Sequence, residues 1–149
     1  MGPVTGVCMP LTFHVDIVST EKAIYSGTAH WLVAPTEMGE IGVLARHAPL
    51  LARLKPGLVR LVREPDFDES FFVSGGFVEV LPHLVTVLAD TVLRTPDFDE
   101  AAARAAKIRT EAALKLTTSK ADYHRLKIEL QMETALLRTI EQLRLRKQR

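Results

Sequence analysis

Cysteine is almost missing from this sequence: Cys8 is the only one among 149 residues. A disulfide within the chain is thereby excluded, and the composition fits a reducing compartment. Long apolar runs are missing too, and no stretch approaches the ~20 residues that a membrane-spanning helix needs. Met1 to Leu11 has neither a basic opening nor a sustained apolar stretch, so no signal peptide is expected there. Five histidines are present (His14, His30, His47, His83 and His124), yet none is spaced with another histidine or a cysteine as metal ligands are. No metal site is expected, and His14 and His30 read as surface residues of strands. Gly75-Gly76 lacks the downstream Lys-Ser/Thr and the following helix of a phosphate-binding loop, and reads as a tight hairpin turn. Asp66, Asp68 and Glu69 read as a solvated turn, and Cys8 has no evident base beside it. With no catalytic constellation left, binding is the expected task.

What is present divides into two parts. The net charge of +1 conceals 7 Lys+Arg against 12 Asp+Glu up to Asp99, and 12 against 6 from Glu100 onward. An acidic front part is therefore joined to a basic back part, and the two can attract each other or an outside surface. Up to about Leu93 the hydrophobic period is two. Phe13, Val15 and Ile17 alternate with His14 and Asp16, and Ala29, Trp31 and Val33 alternate across His30. Gly and Pro punctuate short β-branched runs at regular intervals, which predicts an all-β sandwich of about eight to ten antiparallel strands. After Pro96 the period becomes helical. Asp97 with Glu100 resembles a capping box, and Phe98, Ala101, Ala105, Ile108, Ala112 and Leu116 recur at helical spacing. Ser119 with Asp122 opens a second helix to about Leu145, whose stripe is Tyr123, Leu126, Leu130, Leu137 and Ile140, with Thr134 filling the gap. The pair is predicted to form a C-terminal antiparallel α-helical hairpin. The domains read as a flexible extension at residues 1–11, a sandwich at 12–94 and a hairpin at 95–149.

Two features suggest contact with partners. Thr36 to Gly42 combines Glu37 and Glu40 with Gly39, Gly42, Met38 and Ile41 between two strands. Such a segment is either a compact docking tip or an irregular connection with its apolar side chains folded inward. The tail carries Arg138, Arg144, Arg146, Lys147 and Arg149. Without interleaved aromatics, and with Glu111, Glu129, Glu133 and Glu141 spread along the same helices, it reads as a solvated face rather than a nucleic-acid site. The alternative is a free-standing adaptor or RNA-binding module using the basic hairpin.

The ordered set Phe13–Ser19, Tyr25-Ser26-Gly27, Met38–Val43, His47–Leu51, Leu54–Gly57, Val73–Gly76, Val85–Asp90 and Phe98–Ala101 resembles the ε-subunit family of bacterial F-type ATP synthases. The resemblance spans about Leu11 to Ile140. It implies a non-catalytic rotor-stalk subunit that couples proton-driven c-ring rotation to ATP synthesis and restrains ATP hydrolysis through its hairpin. It implies the γ subunit, the c-ring and the catalytic-head subunits as partners, no nucleic acid, and membrane association only through the complex. The cytoplasmic face of the bacterial plasma membrane is the implied location. Met38, Gly39, Glu40, Ile41, Gly42 and His47 fall where the family meets γ and the ring, which favours the docking reading of that segment. The family's ATP-binding members carry an arginine where this chain has Ala102, and cations where it has Met132 and Leu136. No cofactor is therefore expected, although Arg109 remains.

Overall fold

A computed structural model describes residues 11–64 and 67–148. Residues 1–10 of the expected extension, with Cys8, lie outside the described residues, as do Asp66 and Arg149. Ten strands come first: β1 (Phe13–Ser19), β2 (Ala23–Ala29), β3 (Trp31–Thr36), β4 (Gly39–Leu44), β5 (Leu50–Leu54), β6 (Gly57–Glu64), β7 (Phe67–Val73), β8 (Gly76–Val80), β9 (Leu84–Ala89) and β10 (Val92–Arg94). A 3-10 turn at Thr95–Asp97 leads to α1 (Glu100–Leu116) and α2 (Lys120–Lys147). The sandwich followed by a helical hairpin is the architecture that the two periodicities predict.

The strands form one hydrogen-bonded path, β10-β7-β6-β3-β5-β8-β9-β1-β2, with β4 also paired to β3. The path folds over at the single pairing Thr36↔Leu54, which makes two layers. Their inward positions meet in one cluster. Phe13, Val15, Ile17, Val78, Val80, Val85 and Val87 come from one layer, and Leu32, Ala34, Val59, Leu61, Phe71 and Val73 from the other. Full burial of each Val, Leu, Ile or Phe among them stabilises by about 1.5–3 kcal/mol.

Several local expectations change in three dimensions. Every strand pair is antiparallel except β1 with β9, which run parallel from His14↔Leu84 to Ser19↔Ala89. A parallel pair needs a long crossover, and here the intervening strands supply it. Ala29, Trp31 and Val33 do not share a strand, because the chain leaves one layer at the end of β2 and enters the other at Trp31. Gly75-Gly76 is likewise no hairpin turn: β7 pairs with β6 and β10, whereas β8 pairs with β5 and β9. The two glycines, at φ 126° and 124°, form the corner between layers. A Cβ on Gly76 would run into Leu88 O and stand 2.8 Å from Ala89 Cα.

The helices also depart from the reading in detail. Asp99, not Asp97, caps α1, accepting from Ala102 N at 3.0 Å. Asp97 instead completes the 3-10 turn that ends the sandwich. Ser119 caps α2 as expected, accepting from Asp122 N. The buried face of α1 carries Ala103 and Thr110, while Ile108 is 66% and Leu116 84% exposed. The expected stripe thus lies on the opposite face, because alanines occur all round this helix and do not mark its phase. On α2 Thr139 is buried, Leu126, Leu130, Leu137 and Ile140 are half-buried, and Tyr123 is exposed.

Gly76 and Gly39 both have positive φ, but only Gly76 lacks space for a Cβ. Gly76→Ala is expected to cost at least about 3 kcal/mol, through a backbone clash added to strain. Gly39→Ala should cost roughly 1–2 kcal/mol, from conformation alone. Urea unfolding of both variants checks the ranking, and equal losses would contradict it.

Candidate interaction surfaces

Residues 39–42 are part of β4 and not of a loop, because Gly39, Glu40, Ile41 and Gly42 pair in register with Thr36, Pro35, Ala34 and Val33. Only Glu37 and Met38 form the turn. It is held on both sides. The buried Thr36 hydroxyl donates to Gly39 O at 2.6 Å. Glu37 N donates to Arg53 O at 3.0 Å, and Lys55 N donates to Pro35 O at 3.1 Å. The Glu37 carboxylate and Arg53 guanidinium lie 3.5 Å apart. Strand alternation then divides the six proposed contact residues. Met38 is 96% exposed and Glu40 points outward, while Ile41 packs against the sandwich core. Gly42 faces outward beside Trp31, where a Cβ would come within 3.1 Å of the indole Nε1.

His47 is elsewhere. At about 3.4 Å per residue, β4 separates the Met38 turn from the segment after Leu44 by about 17 Å. There Arg46 adopts φ 65° and its N–H donates to Pro82 O at 2.8 Å. His47 Nδ1 lies 2.6 Å from Ala48 O, which makes that nitrogen the protonated donor. The fold therefore brings Met38, Gly39 and Glu40 together at one end of β4 and His47 at the other.

The sequence reading missed an apolar outer face. Phe77 and Leu88, each about half exposed, sit opposite each other across β8 and β9, and Leu51 on β5 is 69% exposed. The available signal was apolar residues at outward strand positions; such patches mark contact surfaces. Next to it His14 Nε2, Asp16 and Ser26 form a polar knot. Ser26 donates to Asp16 at 2.7 Å, and this bond, more than the neighbouring His14, holds the Asp16 carboxyl below its ordinary value. The hydroxyl proton goes to a carboxylate and not to the imidazole, so no base activates Ser26. Among the described residues no three His, Cys, Asp or Glu side chains come together as a metal site would require.

The hairpin is clasped by charge. Glu100, the first residue of α1, accepts from Arg104 Nε at 3.0 Å and Nη2 at 2.6 Å, and also from Arg144 near the end of α2. Midway, Thr110 Oγ1 donates to the Glu133 carboxylate at 3.0 Å. Of the basic tail, Arg144 is thus folded back onto α1, whereas Arg138, Arg146 and Lys147 are exposed. The Glu100–Arg104 spacing of four was legible in the sequence, but the Arg144 partner was not. α2 lies along β6, and no helix among the described residues is long and apolar enough to cross a membrane.

Residues 12–95 match the family model described as the β-sandwich domain of the ATP synthase delta/epsilon chain. The chain is 54% identical over 136 residues to an ATP synthase epsilon chain of Nitrosococcus oceani, covering 91% of this chain and 97% of that one. It is 53% identical over 137 residues to the epsilon chain of Thioalkalivibrio sulfidiphilus, covering 91% and 97%. Among solved structures, a chain of the Euglena gracilis mitochondrial ATP synthase shares the fold with a TM-score of 0.76 at 20% identity, covering 91% of this chain and 88% of that one. A chain from the central stalk and c-ring of the Tetrahymena thermophila enzyme matches with a TM-score of 0.58 at 14% identity, covering 86% and 96%.

The hydrogen bond from Arg104, and after it the charge of Arg144, hold the Glu100 carboxyl below its ordinary value against the opposing effect of burial. A carboxyl depressed in the folded state contributes stability that is complete above the unfolded value of about 4.3. That contribution is lost as the pH falls through the lower folded value. Protection of the amides in the last turns of α2, taken relative to the intrinsic exchange rate at each pH, should therefore fall on acidification below about pH 4. In Glu100→Gln it should be lower already at neutral pH and show less pH dependence. Identical profiles for the two proteins would deny Glu100 this role.

Proposed function

The chain belongs to the ATP synthase epsilon-chain family, a non-catalytic stalk subunit of that complex, and from this premise we propose how it works. It couples c-ring rotation, driven by hydrogen-ion transport, to ATP synthesis in the catalytic head, and it restrains ATP hydrolysis through the hairpin. The observation that carries this reading is the division of labour between a deeply packed sandwich and a hairpin joined through alanine, threonine and ion pairs. The sandwich is the rigid coupling. Its Met38–Glu40 end meets the ring, and its exposed apolar outer face around Phe77 and Leu88 meets the γ subunit. The hairpin is the mobile restraint. With few large buried side chains, a packed and a released arrangement differ by only a few kcal/mol. Released, α2 with 28 residues at 1.5 Å each carries Arg138, Arg144, Arg146 and Lys147 to acidic surface on the catalytic-head subunits.

The subunit works as a peripheral part of the complex at the cytoplasmic face of the bacterial plasma membrane. It holds no nucleotide between its helices: Ala102 offers no charge, and Met132 and Leu136 add none on α2. Nothing favours a nucleic-acid module, since Arg104, Lys107, Arg125 and Arg144 are already engaged with carboxylates.

Reconstituted membranes test both halves of the proposal. Met38→Glu with Glu40→Lys should weaken assembly on the rotor while leaving the thermal transition of the isolated chain within about 1 kcal/mol, because both side chains are exposed. Ending the chain at Ala121 should raise ATP hydrolysis and largely spare synthesis. Neutralising Arg144, Arg146, Lys147 and Arg149 should give a smaller rise, since exposed charge pairs contribute only ~0–1 kcal/mol each. Equal hydrolysis rates for the three chains would leave coupling alone; a synthesis defect on truncation would mean that the hairpin holds the rotor together.

A further inference from the structure

β4 stands at the rim of its layer, paired with β3 on one side and with no strand on the other among the described residues. The direction of its backbone groups follows from its neighbour. Pro35 O accepts from Lys55 N and Glu37 N donates to Arg53 O, so the main chain at 35 and 37 faces β5. Alternation turns Leu32, Ala34 and Thr36 toward β4, where the register sets them against Val43, Ile41 and Gly39. The N–H groups of Glu40, Gly42 and Leu44 therefore point away from the sheet. On that side only Leu44 O finds a partner among the described residues, the His47 N–H at 3.2 Å. The remaining edges are blunted. On β2 Ile24 O accepts from Arg94 Nη2 at 2.6 Å, on β5 Arg53 O is held by Glu37, and β10 has only three residues. An edge left open in this way is a template for a further strand.

We infer that this edge takes up an extended segment of the rotor as one more strand of the sandwich, pairing main chain to main chain with Glu40, Gly42 and Leu44. The flanking side chains state what the segment must carry. Glu40 forms no ion pair among the described residues, so a basic residue belongs beside it. Leu44 is 62% and Trp31 42% exposed, and with Val62 they stand side by side across β4, β3 and β6. Gly42 adds no side chain and the Trp31 indole lies beside it, which leaves room for a large apolar residue to reach the ring. Glu40, Gly42 and Leu44 share one face, so the segment presents one basic and two apolar side chains at alternate positions. The edge starts at the Met38 turn, which is why the rotor is the source. That identification rests on the function proposed above, whereas the open edge does not.

Hydrogen exchange of the full-length chain, free and assembled with the γ subunit and the c-ring, tests the inference. Exchange is run in the complex, quenched, and read by NMR on the released chain. In the free chain Ile41 and Val43 should be protected and Glu40, Gly42 and Leu44 open. Assembly should slow the latter three by at least about tenfold each. Glu40→Pro removes one edge donor where an edge strand tolerates proline, and should weaken assembly about tenfold, against about threefold or less for Glu40→Ala. Circular dichroism confirms that both variants are folded. Edge amides already protected in the free chain, or still open after assembly, would overturn the inference while the proposed function stands. Glu40→Ala as damaging as Glu40→Pro would reduce the contact to a side chain and overturn it too. Failure of the unaltered chain to assemble would remove both readings.

Discussion

The dry, valine-rich interior of the sandwich is the constraint on which the rest depends. One continuous sheet folds over at the Thr36–Leu54 pairing, and both layers then bury the same alternate side chains in a single cluster. Thr36 shows how closely this interior is tied to the surface. It is buried at the fold-over point, and its hydroxyl fixes the turn that presents Met38. The exposed end of β4 is therefore a rigid extension of the core.

The hairpin rests on different physics. Its first helix buries only Ala103 and Thr110, and ion pairs around Glu100 close its open end. Small residues bury little apolar area, so hydrophobic stabilisation of the packed form is modest. Exposed charge pairs are weak and respond to salt and pH. The contacts that close this hairpin are therefore ones that salt and acid weaken.

The link between the two parts is short and well anchored on the sandwich side. Arg94 donates to Ile24 O at 2.6 Å and stacks over Phe71, and the Thr95 hydroxyl donates to Ser70 O at 2.8 Å. Helical order begins again only at the Asp99 cap. Between these anchors the link is a single 3-10 turn, closed by Phe98 N donating to Thr95 O at 3.4 Å.

The amino-acid sequence by itself determined the two-part plan, because hydrophobic period is local: alternation in Phe13–Ile17 can only serve a strand, and Ser119 with Asp122 starts a helix wherever it lies. It also determined the chemistry of the Met38–Glu40 turn and the family, which rests on motifs in order. What tertiary structure decided were the relations between distant segments. The parallel β1–β9 pair, the corner at Gly75-Gly76 and the separation of His47 from Met38 all depend on which layer each strand joins. The inward face of α1 was hidden because alanine looks the same on every side of a helix; only the position of α2 selects Ala103 and Thr110. The Glu100–Arg144 contact arises in the same way, from two residues 44 apart in the chain that the hairpin brings together, since charge acts through space and leaves no periodic trace in the chain.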